Sequence, residues 1–199
     1  MLLTKEFDQA KKCLDDGKVI AFPTETVMGL GVYFDIYEAY QYLNEIKGRP
    51  ESKPYTLMLG DVNDIGKYAF IDSRAQKIID NFMPGEITIL VSANDVVPAY
   101  VTHNTGVIGI RVPDLKELQD FLCYCKKPLL VPSANKSGEK PAMNDAEVKT
   151  IFGDKVSYIF KGSAIGGVPS TIVDLTGKEV KILREGNISL SDIQKVIGE

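Results

Sequence analysis

Apolar residues recur along this chain with two periods, and the two alternate. Phe7, Ala10 and Leu14 fall on one face of a first helix; Thr4 stands where a cap is expected and Gly17 where the helix should stop. KVIAF (18–22) is a short apolar strand ending at Pro23, and the stretch PTETVMGLG after it reads as a loop. Asp35 with Glu38 has the spacing of a capping box and opens a helix carrying Ile36, Ala39, Tyr40, Leu43 and Ile46 at a 3.6-residue period, ending at Gly48. TLML (56–59) is the next strand; residues 61–69 and 73–82 read as helical, the second ended by Pro84-Gly85.

ITILV (87–91) and VIGIRV (107–112) are nearly uniform apolar runs, as strands covered on both faces are. Residues 114–125 form an amphipathic helix with Leu115, Leu118, Phe121, Leu122 and Cys125 inward. PLLVPSAN (128–135) is a strand entering a polar loop, and Asn144 or Asp145 starts a short helix. VSYIF (156–160), STIVDL (170–175) and VKILREG (180–186) are strands; Ser189 and Asp192 form a capping box over Ile193, Val196 and Ile197. Helices and strands alternate without repeats or a long linker. The expectation is one α/β domain over residues 1–199, a twisted mixed sheet flanked by helices.

Composition narrows the chemistry. A chain of 199 residues, 44% hydrophobic and 25% charged, can bury a core. It has one His (His103), three Cys and no Trp. Zinc sites built from several His or paired C-x-x-C are therefore excluded, and a Ser–His–Asp or Cys–His engine would rest on His103, which reads as a solvated loop residue. Cys13, Cys123 and Cys125 read as ordinary thiols, and no metal site is assigned. The net charge of −4 excludes a histone-like basic protein but not a local basic patch. The N-terminus lacks signal-peptide character and no apolar run approaches the roughly 20 residues of a membrane span, so a soluble cytoplasmic protein is expected.

The candidate chemistry sits at strand ends, where α/β proteins place their sites. In PTETVMGLG, Thr24 and Thr26 offer hydroxyls, though the segment also suits a plain tight turn. KGRPESKP puts Lys47, Arg49 and Lys53 within seven positions; they complement a helix C-terminus on a solvated surface, or clamp a polyphosphate. Arg111 lies inside the apolar run VIGIRVP, where a charge is costly unless paired, so it either pairs with a carboxylate or lines an anion-binding cleft. PSANKSGEKPA gathers Ser133, Asn135, Lys136, Ser137 and Lys140 as a possible anion nest or an ordinary loop. Arg184 and Glu185 are either site residues or an exposed pair.

Taken in order, PTETVMGLG, KGRPESKP, PGEITILV, GIRVP, PSANKSG, STIVD and REG resemble the motif series of the YrdC/Sua5/TsaC family of L-threonylcarbamoyladenylate synthases, from about Val19 to Gly186. The resemblance implies a single YrdC-like domain with a basic cleft, in the short form. It implies conversion of L-threonine, bicarbonate and ATP to threonylcarbamoyl-AMP and pyrophosphate, the first step of t6A formation at adenosine 37 of tRNA, with partner proteins making the later transfer. By motif, Thr24, Arg111 and Ser170 would bind threonine. Lys47, Arg49, Ser133, Asn135 and Arg184 would bind ATP, with Mg²⁺ bridging its phosphates; Lys47, Arg49 and Arg111 would carry the catalytic charge. Met28 stands where the family commonly has Tyr, Met58 where longer members often have His, and Glu86 where a Pro is common. Two other readings remain: a module binding double-stranded RNA or tRNA in the same cleft, and a carbamoyl transferase acting on another acceptor.

Overall fold

A computed structural model describes residues 2–48 and 55–198. The chain runs α1 (Leu2–Asp15), β1 (Ile20–Phe22), β2 (Gly29–Tyr33), α2 (Tyr37–Lys47), β3 (Thr56–Met58), a 3-10 turn (Val62–Lys67), α3 (Ser73–Phe82), β4 (Ile87–Ser92), β5 (Val107–Arg111), α4 (Lys116–Cys125), β6 (Leu129–Val131), α5 (Asp145–Phe152), a second 3-10 turn (Gly153–Lys155), β7 (Tyr158–Ile159), β8 (Thr171–Asp174), β9 (Lys181–Arg184) and α6 (Leu190–Ile197). The strands form one sheet in the order β7-β1-β2-β6-β3-β5-β4-β8-β9. It is mixed, as expected: β1–β7, β3–β5 and β4–β8 are parallel, and the other neighbours antiparallel.

Each face of the sheet carries its own core. Along β1 the side chains alternate, so Ile20 and Phe22 pack with Ala10, Leu14, Leu118 and Phe121 of α1 and α4. Val19 and Ala21 turn to the other face, with Leu43, Ile46, Ile78, Val148 and Ile193 of α2, α3, α5 and α6. The uniformly apolar runs became the central strands β4 and β5, which explains why they carry no alternation. No helix among the described residues is long and apolar enough to cross a membrane.

Several local expectations differ from the structure. Thr4 lies inside α1 rather than capping it. The predicted loop 23–31 is only six residues long, because Gly29–Tyr33 is a strand paired to β1, Phe22 opposite Gly29. Gly31 is needed there: a Cβ would lie 2.7 Å from the Phe22 ring. Asp35 and Glu38 form no capping box; α2 begins after Ile36 without a side-chain cap, and Asp35 pairs with Lys127 at 2.6 Å. The capping box of Ser189 and Asp192 is present, as is the cap of Asn144 on α5. His103 is half-buried rather than solvated, in a left-handed conformation (φ 51°) with its Nε2 buried.

Candidate active site

Five chain segments meet over the middle of the sheet. They are the β1–β2 turn, the end of β5, the turn after β6, the start of β8 and the end of β9. Between them lies an open cleft with a cavity of about 140 Å³, lined by Thr24, Thr26, Arg111, Ser133, Ser170 and Arg184 among others.

The β1–β2 turn is built on Thr24. Its hydroxyl donates to Val27 O (2.7 Å) and accepts from the amides of Thr26 (3.1 Å) and Val27 (3.2 Å), a hydroxyl-closed turn. Thr26 Oγ1 sits 2.8 Å from Thr24 Oγ1. A second loop pins this turn from outside, Gly166 N donating to Glu25 O (2.9 Å) and Gly167 N to Thr26 O (2.7 Å). Gly166 permits that approach, since a Cβ would lie 2.8 Å from Glu25 O.

Arg111 ends β5, in register with Met58 of β3, and is only 6% exposed. Its Nη2 donates to Glu25 Oε1 (2.7 Å) and to Thr26 Oγ1 (3.1 Å); Glu25 Oε1 also accepts from Asp114 N (3.0 Å). Glu25 is 8% exposed. Arg111 is therefore ion-paired, as one sequence reading has it, and it also lines the cleft. Its Nε and Glu25 Oε2 are buried without hydrogen-bond partners among the described residues.

On the opposite side, Arg184 Nε donates to Ser170 O (2.9 Å) and Nη2 to Ser170 Oγ (3.1 Å), and Ser170 Oγ lies 3.1 Å from Thr88 Oγ1. Burial of the guanidinium and the nearby charge of Arg111 lower the pKa of Arg184 from its usual value. Thr171 Oγ1 donates to Ile188 O (2.7 Å) and accepts from Gly186 N (2.9 Å), which holds the R-E-G turn against β8. Glu86 accepts from Asn187 Nδ2 (2.6 Å) and joins the same turn.

The turn after β6 is closed from within. Ser133 Oγ donates to Asn135 Oδ1 (2.5 Å), and Asn135 Nδ2 donates to Lys136 O (2.7 Å) and Glu139 O (2.9 Å). Lys47 is not on a solvated surface. It is 2% exposed, and its Nζ donates to Ser133 O (2.6 Å), Asn135 O (2.7 Å) and Asn135 Oδ1 (3.4 Å). Lys136 Nζ returns the link by donating to Ile46 O.

Of the residues singled out in the sequence, Thr24, Arg111, Ser133, Ser170 and Arg184 share the cleft wall. Asn135 and Lys47 stand beneath it, and Arg49 lies outside the described residues. Glu25 and Thr88 went unnoticed. The signal for Glu25 was an acid among hydroxyls in a chain whose Arg111 needed a carboxylate; Thr88, inside an apolar strand, gave none. Among the described residues no group of three or more His, Cys, Asp or Glu could hold a metal ion. The cleft therefore offers anchored guanidinium groups, hydroxyls and turn amides, which suit binding and charge stabilisation of anions.

Known proteins resemble this chain in sequence and fold. The Sua5/YciO/YrdC family model, described as telomere recombination, matches residues 12–186. The chain is 36% identical over 186 residues to a threonylcarbamoyl-AMP synthase of Vibrio campbellii, covering 92% of this chain and 100% of that protein. It is 33% identical to a threonylcarbamoyl-AMP synthase of Pyrococcus abyssi, covering 92% of this chain but only 55% of that longer protein. A crystal structure of P. abyssi Sua5 complexed with L-threonine superposes with a TM-score of 0.92 at 32% identity, covering 99% of this chain and 58% of that one.

Proposed function

This chain belongs to the Sua5/YciO/YrdC family, and from that premise we propose that it is a threonylcarbamoyl-AMP synthase whose residues form a YrdC-like domain. The threonine amine forms a C–N bond with the carbon of bicarbonate-derived carbon dioxide, giving a carbamate. A carbamate oxygen then attacks the α-phosphorus of ATP, and the bond to the β-phosphate oxygen breaks to release pyrophosphate. Such a transfer needs alignment and charge stabilisation rather than a protein nucleophile, which agrees with a cleft of guanidinium and hydroxyl groups.

The observation that carries the reading is the buried Arg111 at the cleft wall, with Arg184 and Ser170 opposite. In this reading Arg111 takes the threonine carboxylate. Ser170 lines the threonine side, and Thr24 shapes the turn that encloses it. Arg184 and Arg49 contact the phosphates, and Ser133 and Asn135 hold the nucleotide. Lys47 serves the same end by keeping their turn closed. Mg²⁺ would enter with ATP and add positive charge at its phosphates beside Arg184 and Arg49. The product is consumed in the cytoplasm by proteins that complete t6A on tRNA. No feature of the cleft favours RNA as its ligand.

The test is pyrophosphate release by the purified protein. It is expected only when L-threonine, bicarbonate and ATP are all present. Release at the same rate without threonine would overturn the reading.

A further inference from the structure

The two arginines of the cleft differ in charge balance. Arg111 is paired with a buried carboxylate, Glu25, at 2.7 Å. Arg184 makes its bonds to a neutral carbonyl and a neutral hydroxyl of Ser170, and has no ion pair among the described residues. Arg111 spends Nη2 on Glu25 and Thr26, while its Nη1 makes no hydrogen bond among the described residues. One end of the cleft thus presents a guanidinium edge whose charge is already balanced, and the other presents an unbalanced cation.

We propose that Glu25 is a positioning residue that makes Arg111 selective for a monoanionic carboxylate over phosphate groups, so that the polyphosphate can occupy only the Arg184 end. The inference rests on the reading given under Proposed function and deepens it. The physical reason is twofold. Glu25 and Thr26 take Nη2 of the guanidinium, leaving Nη1 for the ligand. Glu25's own charge, buried beside Nη1, repels a group carrying two or more negative charges more than it repels a carboxylate, and a buried charge is screened less than an exposed one. Without this device both guanidinium groups would attract the triphosphate, and nucleotide would compete with threonine.

The test uses Glu25→Gln, which keeps the size and an acceptor oxygen but removes the charge. Binding of L-threonine and of inorganic pyrophosphate is measured by calorimetry. In the wild type, pyrophosphate is expected to bind one site and leave threonine affinity unchanged. In Glu25→Gln, pyrophosphate is expected to gain a second site; at ten times its Kd there, it should weaken apparent threonine binding about tenfold. Glu25→Asp keeps the charge and should restore the wild-type pattern, which a merely structural role would not require. A folded Glu25→Gln protein with one pyrophosphate site and unchanged threonine binding overturns the proposal. Should Glu25→Gln fail to fold, the wild-type titration decides: pyrophosphate that competes with threonine there also overturns the proposal. A wild type that binds no threonine would remove the functional reading. The pyrophosphate stoichiometry of the two proteins would still judge Glu25.

Discussion

Lys47 Nζ lies 2.7 Å from the main-chain oxygen of Asn135, fastening the end of α2 to the turn after β6. The ammonium is buried and donates to two carbonyls and an amide oxygen of that turn. Lys47→Met leaves those buried acceptors unsatisfied, so it should lower stability by about 1–3 kcal/mol as well as weaken nucleotide binding. Arg49→Ala should weaken ATP binding by about 1.5–3 kcal/mol, the range for a charged hydrogen bond. Urea denaturation and calorimetry of ATP separate the two; a Lys47→Met protein of wild-type stability would argue against the fastening role.

Breaking the Glu25–Arg111 pair on one side strands a buried charge. Arg111→Met should cost about 3–5 kcal/mol of stability, and the added loss from Glu25→Gln in that background should be much smaller than the loss from Glu25→Gln in the wild type. A double-mutant cycle by denaturation measures this. Additive losses would mean that the two side chains do not depend on one another.

Gly186 is tied to β8 by sterics, not by an unusual backbone angle. A Cβ there would lie 2.4 Å from Pro169 O and 2.8 Å from Thr171 N, and neither backbone atom can step aside cheaply. Gly186→Ala should therefore destabilise by about 1–3 kcal/mol and displace Arg184, raising KM for ATP more than KM for threonine. Steady-state kinetics with each substrate varied is the check.

Asp72 caps α3 by accepting from Ala75 N at 2.8 Å. That hydrogen bond, with a further contribution from Arg74, holds its carboxyl below the usual value of 3.8. A depressed carboxylate pKa means that the stabilisation is complete above 3.8 and is lost as pH falls through the lower, folded value. Asp72→Ala should thus cost about 1 kcal/mol at neutral pH. The gap between variant and wild type should close in strong acid. A gap independent of pH would assign the loss to something other than the ionised cap.

Element types were largely legible because burial on two faces writes itself into local pattern. The central strands announced themselves as unbroken apolar runs, and α4 as a stripe from Leu118 to Cys125. Misreadings came where a polar or small residue served a distant partner. Glycines at 29 and 31 suggested a loop, yet they make room for the Phe22 ring and Val131 in a strand. Asp35 had a cap's spacing but is used by Lys127, 92 residues away.

The same division runs through the site. The sequence by itself determined the alternation of elements, the sets of hydroxyls and cations at strand ends, and their order, because these depend on neighbours a few positions apart. Only the tertiary structure decided what each group does. Glu25 meets Arg111 across 86 positions, and Lys47 meets Asn135 across 88. The physical reason is the cost of burying charge: an ammonium or guanidinium drawn from water must find its acceptors. Which carboxylate or carbonyl supplies them depends on the order in which the strands assemble into the sheet.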